Sequence, residues 1–242
     1  AVTRPEGRNA GLVDGLRALG AEVIAAPCIE LHERRDTASL TGALEEKHDW
    51  AVFTSPAGVQ AAVRALLRAG RDLRALYGMK FACIGSATAE ALASCGISAD
   101  LVPETYDSEH LADALCRKMQ GGGAALLLRA AEGSRILPEK LKNSGIRVTD
   151  VPLYDTVRCC AKADELRERI RNRALDGVTF TSASTVHSFA EAVGRENLRG
   201  LAALCIGPVT AEAAKSYEMK PFTAKEATET ALLALCKTVL EG

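Results

Sequence analysis

Two flavodoxin-like, doubly wound α/β domains, each on a parallel sheet, are what the sequence predicts. Three observations carry that expectation. Two phrases occur twice: FTSPAGVQAAV from Phe53 returns as FTSASTVHSFAEAV from Phe180, and CIGSATAEALASCG from Cys83 returns as CIGPVTAEAAKSYE from Cys205. Other landmarks repeat at one offset: Arg4 with Arg129, Gly20 with Gly145 and Pro27 with Pro152 are each 125 residues apart. Short apolar strands alternate with helical patterns along the whole chain, which gives parallel sheets with helices on both faces. A repeat of this kind governs the architecture and has to be recognised first. In each repeated phrase an apolar strand runs into Thr-Ser or Gly and directly into a helix. That places hydroxyls and unpaired N–H groups at a helix N-terminus, a ready anion site. Four such termini, two per copy, point to a cleft facing an anionic ligand.

The elements follow in order. Residues 1–4 end a short strand closed by Pro5. From Asn9, the positions Leu12, Val13, Leu16 and Leu19 keep helical spacing, and Gly20 supplies the stop. Residues 22–29 read as a strand, so the chain opens βαβ, and the charged stretch HERRDT at 32–37 reads as a linker. A short helix over 40–46 and a buried strand over 50–53 come next. Ser55-Pro56 then starts a helix with Ser as N-cap and Pro at N1, its inward face formed by Val59, Ala62, Val63 and Leu66. A strand over 81–84 leads to a helix capped by Ser86 and stopped by Gly96, then a short strand at 101–102. Asp107-Ser108 opens a helix through Leu111, Leu115 and Met119, ended by the glycines 121–123. The pattern restarts with a strand over 124–129, a helix over 137–143 stopped by Gly145, and a long strand over 147–157. A charged helix over 163–173, a strand over 178–180, a helix over 186–193 and a strand over 204–206 complete the match. A helix through Ala214, a strand over 220–223 and a last helix to residue 240 close the chain.

Composition bounds the function. The chain has 242 residues, 48% hydrophobic and 25% charged, with a formal net charge of −1. So small a charge argues against a nucleic-acid partner or an anionic membrane surface, and an anionic ligand has to be gripped by local groups. No apolar run reaches the ~20 residues of a membrane span, and no signal peptide opens the chain. Eight cysteines contain no C-x-x-C: Cys28, Cys83 and Cys205 lie in strand-like runs, Cys95, Cys116 and Cys236 on helix faces, and Cys159 and Cys160 are adjacent. They read as reduced thiols of a cytoplasmic protein. His32, His48, His110 and His187 show no paired ligand spacing, so a metal-free chain is expected. Few apolar surface stripes point to a monomer.

The candidate chemistry sits at strand carboxyl ends, where open α/β sheets bind ligands. Thr54, Ser55, Ser86 and Thr88 occupy such places in one copy, and Thr181, Ser182 and Thr210 in the other. Each of these hydroxyls also fits plain helix capping, worth ~1 kcal/mol; duplication at matching positions favours ligand contact for the set. Arg4 and Arg129 end a strand in both copies and suit a bidentate grip on a carboxylate, with a salt bridge as the alternative. Tyr154, on the second long strand, faces Ile29 in the repeat and is an asymmetric phenol, a packing residue or a general acid. Gly121–Gly123 precede a strand and form no phosphate loop. Neither G-x-G-x-x-G after a strand nor a G-x-S-x-G elbow is present, which disfavours nucleotide-linked enzymes and serine hydrolases.

VTRP at the start, the repeated FTS and IG-x-x-T phrases and VPLYDTV in the middle resemble the uroporphyrinogen-III synthase family over essentially the whole chain. The resemblance implies a cofactor-free lyase that cyclises the linear tetrapyrrole hydroxymethylbilane with loss of water and inversion of ring D. It also implies that the chain crosses between domains twice. One domain would take residues 1–32 and 161–242 and the other 38–154, with linkers 33–37 and 155–160 forming a two-stranded hinge. The family's hinge tyrosine matches Tyr154, a candidate acid for departure of the hydroxyl. Thr54, Ser55, Ser86, Thr88, Thr181, Ser182 and Thr210 would line the substrate's place. The family's frequent second Thr is Val209 here, so only its N–H would serve. A two-domain binding module for an anionic small molecule is the alternative.

Overall fold

The computed structural model describes residues 1–120 and 122–240, the last by its backbone alone. Gly121 of the triple glycine, and residues 241–242 of the expected first domain, lie outside the described residues. The chain forms two compact units: unit 1 is Ala1–Leu31 with Val157–Gly242, and unit 2 is His32–Thr156. No helix among the described residues is long and apolar enough to cross a membrane.

Unit 2 carries the strands β1 (Ile29–Glu33, entered from unit 1), β2 (Trp50–Phe53), β3 (Lys80–Cys83), β4 (Ala124–Ala130) and β5 (Arg147–Arg158, leaving to unit 1). Their order is β1-β5-β4-β2-β3, and β5, β4, β2 and β3 run parallel. A bridge from Ala82 to Leu101 adds one more extended segment beyond β3. Strand alternation decides the packing. Trp50, Val52, Ala125 and Leu127 point into a core with Leu111, Leu115, Leu137 and Leu141, which come from α5 (Ser108–Met119) and α6 (Ile136–Asn143). The helices α2 (Ala38–Ala43), α3 (Pro56–Arg68) and α4 (Ser86–Ala93) complete the unit.

Unit 1 has the parallel strands β6 (Val178–Phe180), β7 (Ala202–Cys205) and β8 (Lys220–Thr223). Val2 bridges both Thr179 and Ala25, which extends the sheet past β6. Val178, Phe180, Ala203 and Cys205 face a core with Phe189 and Val186 of α8 (Ala183–Val193), Leu166 of α7 (Ala163–Arg171) and Ala214 of α9 (Pro208–Lys215). Leu204 and Val2 face the other way, onto α1 (Ala10–Ala18) and α10 (Glu229–Leu240). Those two helices pack closely because Gly15 has no side chain: a Cβ there would lie 2.7 Å from Leu233 Cδ1.

The two units share one strand order. From the amino end, unit 1 reads 2-1-3-4-5, where segments 1 and 2 are those at Val2 and Ala25. Unit 2 has the same order when counted from β4 through β5 and then β2, β3 and Leu101. Each sheet therefore takes its first two segments from one copy of the repeat and its last three from the other.

Four expected strands are altered, the one over 1–4 being only a bridge at Val2. The strand expected at 22–29 reduces to one bridge at Ala25, and regular pairing begins only at Ile29 and takes in the charged 32–33. Charge is tolerated there because β1 alternates buried and exposed positions, and Glu33 is met by Arg64 and Arg68 of α3. The strand expected at 101–102 is likewise a single bridge. In β5, Arg129 pairs with Pro152 but Ala130 with Tyr154, so Leu153 is an extra residue. Pro152 has no N–H to give the ladder, and the resulting bulge re-aims the next side chain, Tyr154.

Candidate functional site

The repeated phrases stand at the carboxyl ends of strands in both units. In unit 2, Thr54-Ser55 turns from β2 straight into α3. Ser55 is the N-cap, and its Oγ accepts a hydrogen bond from the Gly58 amide at 2.9 Å. The same oxygen lies 2.9 Å from the hydroxyl of Tyr154. Tyr154 is only 6% exposed. A buried phenol needs a partner, and Ser55 provides one that accepts or donates. The pair is thus oriented by the helix start: Gly58 fixes Ser55, and Ser55 fixes the phenol.

Unit 1 repeats the helix start without the phenol. Ser182 is the N-cap of α8 and accepts from the Thr185 amide at 3.3 Å, with Ser184 Oγ at 2.9 Å. Thr54 and Thr181 are half-buried at equivalent places. In the second phrase, Gly85 and Gly207 hold the N-cap positions of α4 and α9, and no side chain accepts from the first-turn amides. Ser86 is half-buried beside its terminus, whereas Thr88 and Thr210 are 2% and 4% exposed. Both threonine side chains are therefore shielded from solvent. Val209 is 66% exposed and leaves the start of α9 uncovered.

The two arginines are occupied. Arg129 is 5% exposed, and its Nε and Nη2 donate to Asp150 at 2.9 and 2.6 Å while Nη1 donates to the Ser134 carbonyl at 2.6 Å. It grips a carboxylate in the bidentate manner expected, but the carboxylate belongs to its own sheet. Arg4 pairs with Glu229 at the start of α10, a contact that is partly exposed. Sequence reading passed over both acidic partners, since each is distant along the chain. It also missed Tyr106, whose ring covers Gly85 so closely that a Cβ there would lie 2.8 Å from Tyr106 Cγ. Gly207, the equivalent position, has nothing within 4 Å. The site cysteines are packing groups: burial pushes the Cys83 thiol up to about 11 and the Cys205 thiol up to about 12.

Strand ends that carry hydroxyls, followed by helix starts capped by serine or left without a side-chain cap, recur in both α/β units. The family model described as "Uroporphyrinogen-III synthase HemD" matches residues 10–234. The chain belongs to that family. It is 35% identical over 229 residues to the "Porphyrin biosynthesis protein HemD" of Ruminiclostridium josui, which covers 94% of this chain and 45% of that protein. The chain thus spans less than half the length of that relative. It is 32% identical to a "Putative uroporphyrinogen-III synthase" of Methanothermobacter thermautotrophicus, over 87% of this chain and 86% of the other. Among solved structures, a mutant uroporphyrinogen III synthase from Thermus thermophilus superposes with a TM-score of 0.72 at 23% identity, covering 99% of this chain and 97% of that one. The uroporphyrinogen-III synthetase of Helicobacter pylori gives 0.61 at 18%, covering 90% and 95%. At such identities these two likenesses show the fold.

Proposed function

We propose that the chain cyclises hydroxymethylbilane to uroporphyrinogen III, with loss of water and inversion of ring D. Its family is one of hydro-lyases of tetrapyrrole biosynthesis. The observation that carries a mechanism is the buried Tyr154–Ser55 hydroxyl pair, 2.9 Å apart at an N-cap. In this reading the phenol donates a proton to the departing hydroxyl of the bilane, and Ser55 holds the phenol's orientation. The azafulvene left behind is attacked by the substituted carbon of ring D, which gives a spiro intermediate. The protein's larger task is positional: it has to favour that attack over the direct closure that yields the type I isomer.

The substrate is rich in carboxylates and the chain carries a net charge of −1. Binding therefore falls to local groups: the open first turns of α4 and α9, Thr54, Ser55, Ser86, Thr181 and Ser182, and the amides beside Thr88, Val209 and Thr210. Arg129 is assigned instead to the integrity of its own sheet, and Arg4 binds only if Glu229 releases it. The strand order 2-1-3-4-5 supports reading each unit as a flavodoxin-like domain. Both crossings of the chain fall on the neighbouring strands β1 and β5, the second inside residues 155–160 and the first just before residues 33–37, which we read as the paired linkers of a hinge. A monomer working in the cytoplasm without a cofactor completes the proposal.

Incubation with hydroxymethylbilane, oxidation of the products and separation of isomers tests it. Type III product in excess of the spontaneous type I is expected. Type I alone, at the uncatalysed rate, leaves the chain a binding module.

A further inference from the structure

The chain passes between its units twice, from Leu31 to His32 and from Thr156 to Val157. Just inside unit 1 from these crossings lie three cysteines that the cyclisation does not use. The Cys159 amide donates to the Cys28 carbonyl at 3.1 Å. The Ser188 hydroxyl of α8 donates to that same carbonyl and to the carbonyl of Cys159. These bonds hold the two segments side by side and leave Cys28 Sγ 3.7 Å from Cys160 Sγ. Cys28 is fully buried and Cys160 half-buried, so an external reagent reaches only the second.

We propose that Cys28 and Cys160 are a modification site at which a hydroperoxide converts the two thiols to a disulfide, tying together the segments that carry both crossings. The Cys160 thiolate attacks the peroxide, an S–O bond forms as the O–O bond breaks, and the leaving oxygen takes a proton as alcohol or water. The Cys28 sulfur then attacks the sulfenic sulfur; the S–S bond forms, the S–O bond breaks, and the oxygen departs as water with the Cys28 proton. Two thiols lose two electrons and two protons, and one hydroperoxide is reduced to an alcohol and water.

The surroundings separate the two roles. The Cys28 thiol donates to the Cys160 sulfur and, with the Lys162 amide and the Arg167 charge, holds the Cys160 thiol below its ordinary value, against the effect of burial. The same sulfur contact and burial push Cys28 far up, so it remains the protonated resolving thiol. Cys159 is raised by burial, and its Sγ is directed to the Pro27 carbonyl at 3.6 Å. Thiolate character and access are what select a cysteine for oxidation, and Cys160 has both.

The test uses the full reduced chain, treated with a stoichiometric amount of hydrogen peroxide, blocked with N-ethylmaleimide and mapped by non-reducing peptide mass spectrometry. The expected result is loss of two thiols per chain and a linked peptide joining Cys28 to Cys160, formed more slowly at lower pH. Cys159→Ala should keep the link. Cys160→Ala should abolish it. Cys28→Ala should leave a Cys160 sulfenic acid that a cyclic 1,3-dione traps. A link between Cys159 and Cys160, or thiol loss only after the protein has unfolded, overturns the proposal. The mapping of the unsubstituted chain decides the matter even if the buried Cys28 tolerates no replacement.

Discussion

The helix start at Ser55 and the one at Ser182 are copies of one phrase, yet they differ in what faces them. At Ser55 the cap is tight, at 2.9 Å, and its oxygen also meets the Tyr154 phenol. At Ser182 the cap is looser, at 3.3 Å, and the oxygen meets Ser184. The second phrase diverges in the same sense, with Tyr106 laid over Gly85 and open space at Gly207. Duplication thus preserved the backbone device, a strand ending in an uncapped or serine-capped helix. What was free to diverge was the side chain brought alongside from elsewhere in the sequence. Unit 2 acquired the aromatic groups, Tyr154 at Ser55 and Tyr106 at Gly85, and unit 1 kept the bare helix starts.

The equivalent arginines test that comparison with the largest expected effect. Arg129→Ala leaves Asp150 without its bidentate partner in the sheet and should cost about 3 kcal/mol of stability, read by denaturant unfolding. Arg4→Ala removes a partly exposed pair and should cost less than about 1 kcal/mol. Equal costs would mean that the two copies use their arginines alike. Next comes Tyr154→Phe, for which a loss of roughly 10²-fold in type III turnover is expected if the phenol is the acid. Near-normal turnover refutes that role.

Smaller effects sharpen the contrast. Ser55→Ala and Ser182→Ala should each cost about 1 kcal/mol as lost caps. Only Ser55→Ala should also lower kcat, because it alone releases the phenol; a parallel loss in both variants would break the asymmetry.

The smallest effect concerns unit 2 at acid pH. His48 is buried, with Nε2 2.9 Å from Thr149 Oγ1 and Nδ1 3.1 Å from the Glu46 carbonyl. Burial lowers its pKa below 6.5, so the folded form holds it neutral where the unfolded chain already takes a proton. Stability contributed by the neutral ring is present above pH 6.5 and lost as pH falls below it. Unfolding followed across that range should show this slope, and His48→Gln should flatten it.

Much of this was legible from residue order. The offset of 125 between Arg4 and Arg129, with its echoes at Gly20 and Pro27, exposed the duplication. Ser55-Pro56 announced a capped helix, and the structure starts α3 there. The limits appear at particular residues. Nothing local in ALLLRA says that the arginine will turn onto Asp150, and nothing near Gly85 marks Tyr106 as its cover. The strand expected at 22–29 dwindled to a bridge because regular pairing depends on a neighbour's register, which the apolar run alone does not encode.

Residue order by itself determined the alternation of strand and helix, the two copies, and the hydroxyls and glycines at the four helix starts. These rest on periodicity and capping, both read within a few residues of chain. The tertiary structure alone decided which copy's strands share a sheet, how the Leu153 bulge turns Tyr154 toward Ser55, and that the thiols of Cys28 and Cys160 meet. Each of these joins residues far apart in sequence through strand register and close packing. Such contacts belong to the assembled sheet and to no single segment of it.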